Sequence, residues 1–187
     1  MNDTTSKSDA GPENCQPMRE YSHVQELVNN VPYMAMILLG AAVVVVGLNK
    51  SALAWFTGAA YLAYGILGTL WIILFICPYC SYWNTRSCPC GYGTIAAKLR
   101  ESRSGEHFKE MFKKHILVIV PLWFIPILTG LLLSVLSFSW LLLLLLIVFG
   151  LDAFVFLPLF STKHGCKNCP QKDSCPWMGR KCKPATG

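Results

Sequence analysis

Four stretches of this chain are long and apolar enough to cross a lipid bilayer: Val31–Leu48, Ala52–Ile76, Ile116–Val135 and Phe138–Phe160. A helix needs about 20 mostly apolar residues to span about 30 Å of hydrocarbon. The first stretch contains the run Ala41–Val46, and the fourth has six consecutive leucines and a single acid, Asp152. Only 14% of the residues are charged, against about 25% in an ordinary soluble domain. The expected fold is an all-α integral membrane protein of four transmembrane helices.

The connections set the topology. Asn49-Lys50-Ser51 joins the first two stretches and Leu136-Ser137 joins the last two. Loops this short force antiparallel hairpins. Everything else lies at the opposite end: an N-terminal tail, a loop over 77–115 and a C-terminal tail. Those three segments carry 15 of the 16 lysines and arginines, leaving Lys50 alone on the far side. Positive charge stays in the cytoplasm, so both termini and the loop are expected there, in a cell (inner) membrane protein. Orientation and lipid contact account for the net charge of +6, and no nucleic-acid partner is needed. The first 30 residues are polar and lack an apolar leader core, so no signal peptide is expected.

The predicted organisation is a disordered tail at 1–17, an amphipathic segment at 18–30 and a first hairpin at 31–76. A cysteine-rich loop with an amphipathic helix follows at 77–115. A second hairpin at 116–160 and a cysteine-rich tail at 161–187 complete the chain. In "EHFKEMFKKH" the residues Phe108, Met111, Phe112 and His115 share one helical face with lysines around it, the pattern of a helix lying in the membrane surface.

All nine cysteines fall on the side assigned to the cytoplasm, where thiols stay reduced and cysteine clusters serve metals or redox chemistry. Eight form two quartets. "CPYCSYWNTRSCPC" holds Cys77, Cys80, Cys88 and Cys90; "CKNCPQKDSCPWMGRKC" holds Cys166, Cys169, Cys175 and Cys182. Each quartet suits one tetrahedral metal or one four-iron cluster, and Cys15 or His164 is a possible substitute ligand. Structural zinc sites usually pair two short knuckles, whereas each quartet has one C-x2-C and an irregular second half. Cys77, Cys88, Cys169 and Cys175 are each followed by proline, as in the Cys-Pro pair that closes a bacterial ferredoxin ligand run. Gly91 and Gly93 allow backbone N–H groups to approach cluster sulfurs.

"CPYC" is identical to the glutaredoxin active-site tetrapeptide, but that motif opens a helix, whose N-terminus lowers the thiol pKa. Here it closes an apolar helix, where the dipole acts the other way. Four-helix membrane thiol oxidases are similar in span number, but they use cysteines on the oxidising side. The cysteine–proline motifs at the ends of membrane hairpins resemble membrane-anchored ferredoxin-type proteins of anaerobic respiration. That resemblance implies two [4Fe-4S] clusters on the eight cysteines. It also implies a role linking a cytoplasmic redox partner to quinone or to further subunits of a redox complex. The alternatives are a zinc-stabilised scaffold or assembly factor and a thiol–disulfide oxidoreductase.

Asp152, an acid inside a span, is a functional candidate by position: it could move protons to or from quinone, or hydrogen-bond Tyr61 or Tyr64. None of the four histidines lies mid-span, which disfavours a transmembrane haem. His115 and His164 could ligate metal or line a quinone site, or be interfacial histidines with satisfied hydrogen bonds. Pro121 and Pro126 are expected to kink the third span, and Gly58, Gly65 and Gly68 to let helices approach closely.

Overall fold

Ser22 starts the first helix through a reciprocal cap. The Gln25 N–H donates to Ser22 Oγ at 3.3 Å, and the Ser22 N–H donates to Gln25 Oε1 at 3.1 Å. Helix α1 (His23–Gly47) then runs unbroken through Pro32. The polar segment and the first apolar stretch are therefore one rod of 25 residues, about 37 Å long. This computed structural model describes residues 20–49, 51–165, 169 and 171. The tail at 1–17, Cys15, Lys50, Cys166, Cys175 and Cys182 lie outside the described residues.

Asn49 turns the chain with a φ of 55°, a left-handed conformation that asparagine tolerates. The Ser51 hydroxyl accepts the Ala54 N–H at 3.2 Å and opens α2 (Ala52–Phe75). A 3₁₀ turn at Cys77–Tyr79 extends it into the cysteine loop, which contains α3 (Tyr92–Leu99). Next come a 3₁₀ turn at Gly105–His107, α4 (Phe108–Ile116) and α5 (Pro121–Leu136). The final rod is α6 (Trp140–Leu151), a π-helical turn at Asp152–Phe156, α7 (Leu157–Phe160) and a second π turn at Ser161–Gly165. Among the described residues the protein is all-helical, with 4 helical rods long and apolar enough to span a membrane.

The core is built around α1, which packs against α2, α5 and α6. Met36 and Val43 of α1, Leu122 of α5 and Leu142 and Phe149 of α6 are fully buried there. Small residues bring α1 and α2 together: a Cβ on Gly58 would come within 2.5 Å of Val45 Cγ2, and one on Gly65 within 2.7 Å of Ile37 Cδ1. Val45 meets Gly58 and Ile37 meets Gly65, so contacts descend one helix as they ascend the other. Outward faces stay apolar: Phe56 is 74% exposed, Trp140 76% and Val135 84%. Such a surface suits lipid. On α4, Phe108 is buried and Met111, Phe112 and His115 are half-buried, while Lys109, Lys113 and Lys114 are exposed, the face expected from sequence.

The third rod does not merely bend at its prolines. Residues 117–120 form a turn in which the Leu122 N–H donates to Ile119 O and the Trp123 N–H to Val120 O. The Val118 carbonyl thereby loses its helical partner, and the Tyr64 hydroxyl donates to it. Pro126, lacking an N–H, frees the Leu122 carbonyl four residues back. The Tyr61 hydroxyl donates to that oxygen at 2.7 Å. Tyr61 and Tyr64 thus face α5; the alternative in which they bond Asp152 is replaced by these two carbonyl contacts.

Tyr61→Phe should lower stability by about 0.5–2 kcal/mol, measured as thermal unfolding in detergent. In a Pro126→Ala background, where an N–H can again reach Leu122 O, the same substitution should cost markedly less. Equal costs in both backgrounds would contradict the pairing.

Candidate thiolate site

The first cysteine quartet begins where α2 ends. Cys77 is buried on the 3₁₀ turn, and its carbonyl accepts the Cys80 N–H at 3.0 Å. "CPYC" therefore closes a helix rather than opening one, without the helix N-terminus that activates a redox dithiol. The chain doubles back at Asn84, which has a φ of 55°, and the Asn84 N–H donates to Gly93 O at 3.1 Å. The Gly91 N–H donates to Cys88 O at 3.1 Å, closing a turn around the second cysteine pair. Gly93 lies so close to Tyr82 that a Cβ would collide with the Tyr82 carbonyl oxygen. Cys80, Cys88 and Cys90 are the near neighbours of Cys77.

Helix α1 straps this loop down. Asn29 Nδ2 donates to Pro89 O at 2.8 Å, and Asn30 Nδ2 donates to Cys90 O at 3.1 Å. The Tyr92 hydroxyl donates to Asn30 Oδ1 at 2.6 Å. Asn29 and Asn30 were not among the sequence candidates; the signal was two adjacent amides at the polar end of an apolar helix. Near the start of α1, the Tyr21 N–H donates to Arg86 O and its hydroxyl to His164 O, both at 3.0 Å.

The C-terminal segment reaches the same place. Gln171 Oε1 accepts the Ser81 N–H at 2.9 Å, and its Nε2 donates to Tyr79 O at 3.1 Å. Cys169 lies against Tyr82. Burial pushes the Tyr82 and Tyr92 phenols above their ordinary range, with Cys169 adding to it at Tyr82 and Cys90 at Tyr92.

Five cysteines thus gather at one end: Cys77, Cys80, Cys88, Cys90 and Cys169. Their chemistry suits a thiolate-bound metal or cluster. Yet among the described residues no three cysteine, histidine, aspartate or glutamate side chains converge closely enough to hold a metal ion. A bound group would have to draw the thiols inward.

The other candidates have separate settings. His115 Nδ1 accepts the Trp71 Nε1–H at 3.3 Å, and its ring stacks on Phe75 with centroids 5.1 Å apart. The His164 ring packs on Phe160 at 4.6 Å. Asp152 opens the first π turn, and its Oδ2 is buried with no hydrogen-bond partner among the described residues. Beside the thiol end a cavity of about 360 Å³ opens between the helices, with Cys90 and Cys169 in its wall. Compared with known proteins, the chain matches no family model, no curated protein and no solved structure.

Gly93→Ala should loosen the loop, because a backbone oxygen cannot move aside as a side chain can. Maleimide labelling of Cys88 and Cys90 in folded protein should accelerate about tenfold, about 1.4 kcal/mol of lost protection. An unchanged rate would contradict the Gly93–Tyr82 contact.

Proposed function

We propose that this protein is a membrane-bound iron–sulfur electron-transfer subunit linking a cytoplasmic redox partner to quinone or to another membrane subunit. The observation that carries the reading is that a four-cysteine loop and a fifth cysteine from the tail lie at one end of the protein, beside an apolar cavity. In this reading Cys77, Cys80, Cys88 and Cys90 hold one [4Fe-4S] group and Cys166, Cys169, Cys175 and Cys182 a second. Such groups supply one-electron transfer when bound. The chain's own contribution is placement. The Asn29 and Asn30 amides fix the Cys88–Cys90 turn to α1, and the Gln171 amide fixes the tail to the Tyr79–Ser81 backbone. Cys77 is buried, and the cavity wall beside the loop is mostly apolar.

The four rods form two antiparallel hairpins in this reading, with the termini, thiols and basic residues on the cytoplasmic face. The exposed lysines of α4 then lie at the lipid headgroups. Asp152 becomes a candidate proton carrier for quinone chemistry by its position inside a span. A second reading, a zinc-stabilised scaffold or assembly factor, is favoured by one observation. The tail and loop are already tied by Gln171, and a structural zinc would serve to hold just such segments together.

Anaerobically purified protein should be brown, with iron and acid-labile sulfide each about eight per chain if both quartets fill. Cys88→Ser should remove about half of that iron. Colourless protein with stoichiometric zinc would overturn the electron-transfer reading in favour of the scaffold. In intact cells, Cys88 should resist a membrane-impermeant thiol label until the cells are opened; labelling from outside would reverse the orientation.

A further inference from the structure

We infer that the corner where α2 meets α3 and α4 binds one anionic phospholipid. Its phosphate is held beside the Phe75 ring by Arg100 and His115, and an acyl chain lies along the Leu67–Leu70 face of α2. None of the thiols takes part, so the site is independent of the redox role.

Phe75 closes α2, which packs against both α3 and α4. The Arg100 guanidinium carbon lies 5.7 Å from the Phe75 ring centroid. The His115 ring stacks on the same ring, with centroids 5.1 Å apart and planes 21° from parallel. Trp71, one turn earlier on α2, packs on Phe75 at 4.3 Å, and its Nε1–H donates to His115 Nδ1 at 3.3 Å. A neutral imidazole whose Nδ1 accepts carries its proton on Nε2. That Nε2–H has no hydrogen-bond partner among the described residues. A guanidinium seated over a ring keeps its edge N–H groups for a second partner. Arg100 and Lys114 are exposed. Among the described residues neither is paired with an acid; the ion pairs are His23–Glu26 and His107–Glu110. Unpaired donors of positive character around one aromatic ring select an anion with oxygen acceptors.

The setting selects a lipid as its source. Leu67, Trp71 and Phe75 stand four residues apart and share one helical face, and Leu67 and Leu70 are exposed. An apolar strip on a rod long enough to cross a membrane thus leads up to the cationic corner, where headgroups lie. Basic pockets at the ends of membrane helices take phosphate headgroups in this way. A zwitterionic lipid carries its own ammonium beside the phosphate and gains less.

The test is native mass spectrometry of the purified full-length protein in detergent, titrated with equal amounts of dioleoyl phosphatidylglycerol and dioleoyl phosphatidylcholine. One phosphatidylglycerol per chain should be retained, at least about fivefold more tightly than phosphatidylcholine. Arg100→Gln leaves the Arg100 backbone bonds to Ala96 and Trp83 in place and should remove most of that preference. His115→Phe keeps a ring against Phe75 but lacks the donor, and should weaken it too. Lys109→Gln removes the same charge as Arg100→Gln from an exposed position elsewhere on α4 and should leave the preference intact. Equal retention of the two lipids, or a preference that survives Arg100→Gln, would overturn the inference. An equal loss in Lys109→Gln would overturn it as well, because diffuse surface charge would then explain the binding. Displacement of the lipid by an equal concentration of inorganic phosphate would show that the chains contribute nothing, and would overturn the lipid as occupant.

Discussion

Inside hydrocarbon a backbone carbonyl has no water to turn to, and every break in a helix creates one that must find a donor. The third rod breaks twice, at the 117–120 turn and at Pro126, and both orphaned oxygens are met from α2. Tyr61 and Tyr64, three residues apart and so on one helical face, deliver their hydroxyls to Leu122 O and Val118 O. That pairing fixes the height of α5 against α2. It also places Ile119 and Trp123 where they form the cavity wall. Gly40, against which Tyr61 packs on its other side, leaves room for the ring between α1 and α2. The proline positions, the tyrosines and the small residues are parts of one arrangement.

The thiol loop depends on the same frame. It hangs from the end of α2 and is tied back to α1 by side-chain amides that address backbone carbonyls at Pro89 and Cys90. Bonds to these backbone oxygens fix the path of the chain through the Cys88–Cys90 turn.

Much of the helical framework was legible because its causes are local. Length and apolarity mark the four rods, and 3.6-residue periodicity marks the exposed lysines and buried Phe108 of α4. The small residues of α2 signalled a close helix approach, but not that its partners would be Val45 and Ile37 of α1. What was not legible depends on geometry across the chain. Tyr61 and Asp152 read as potential partners when only depth is considered; which carbonyl on α5 lacks a donor can be known only once the turn at 117–120 is seen. The π turn beginning at Asp152 has no sequence mark beyond the acid itself. Asn29 and Asn30 lie some 60 residues from the carbonyls they hold, and no periodicity reports such a tie. The cavity, an absence of side chains between several elements, is likewise a property of packing rather than of pattern.

Helix α1 continues for about two turns beyond its apolar stretch, back to His23. Asn29 and Asn30 stand on that continuation and grip the Pro89 and Cys90 carbonyls. The rod at the centre of the core is thus also the post to which the thiol loop is moored, and the loop cannot shift without moving that rod or giving up those bonds.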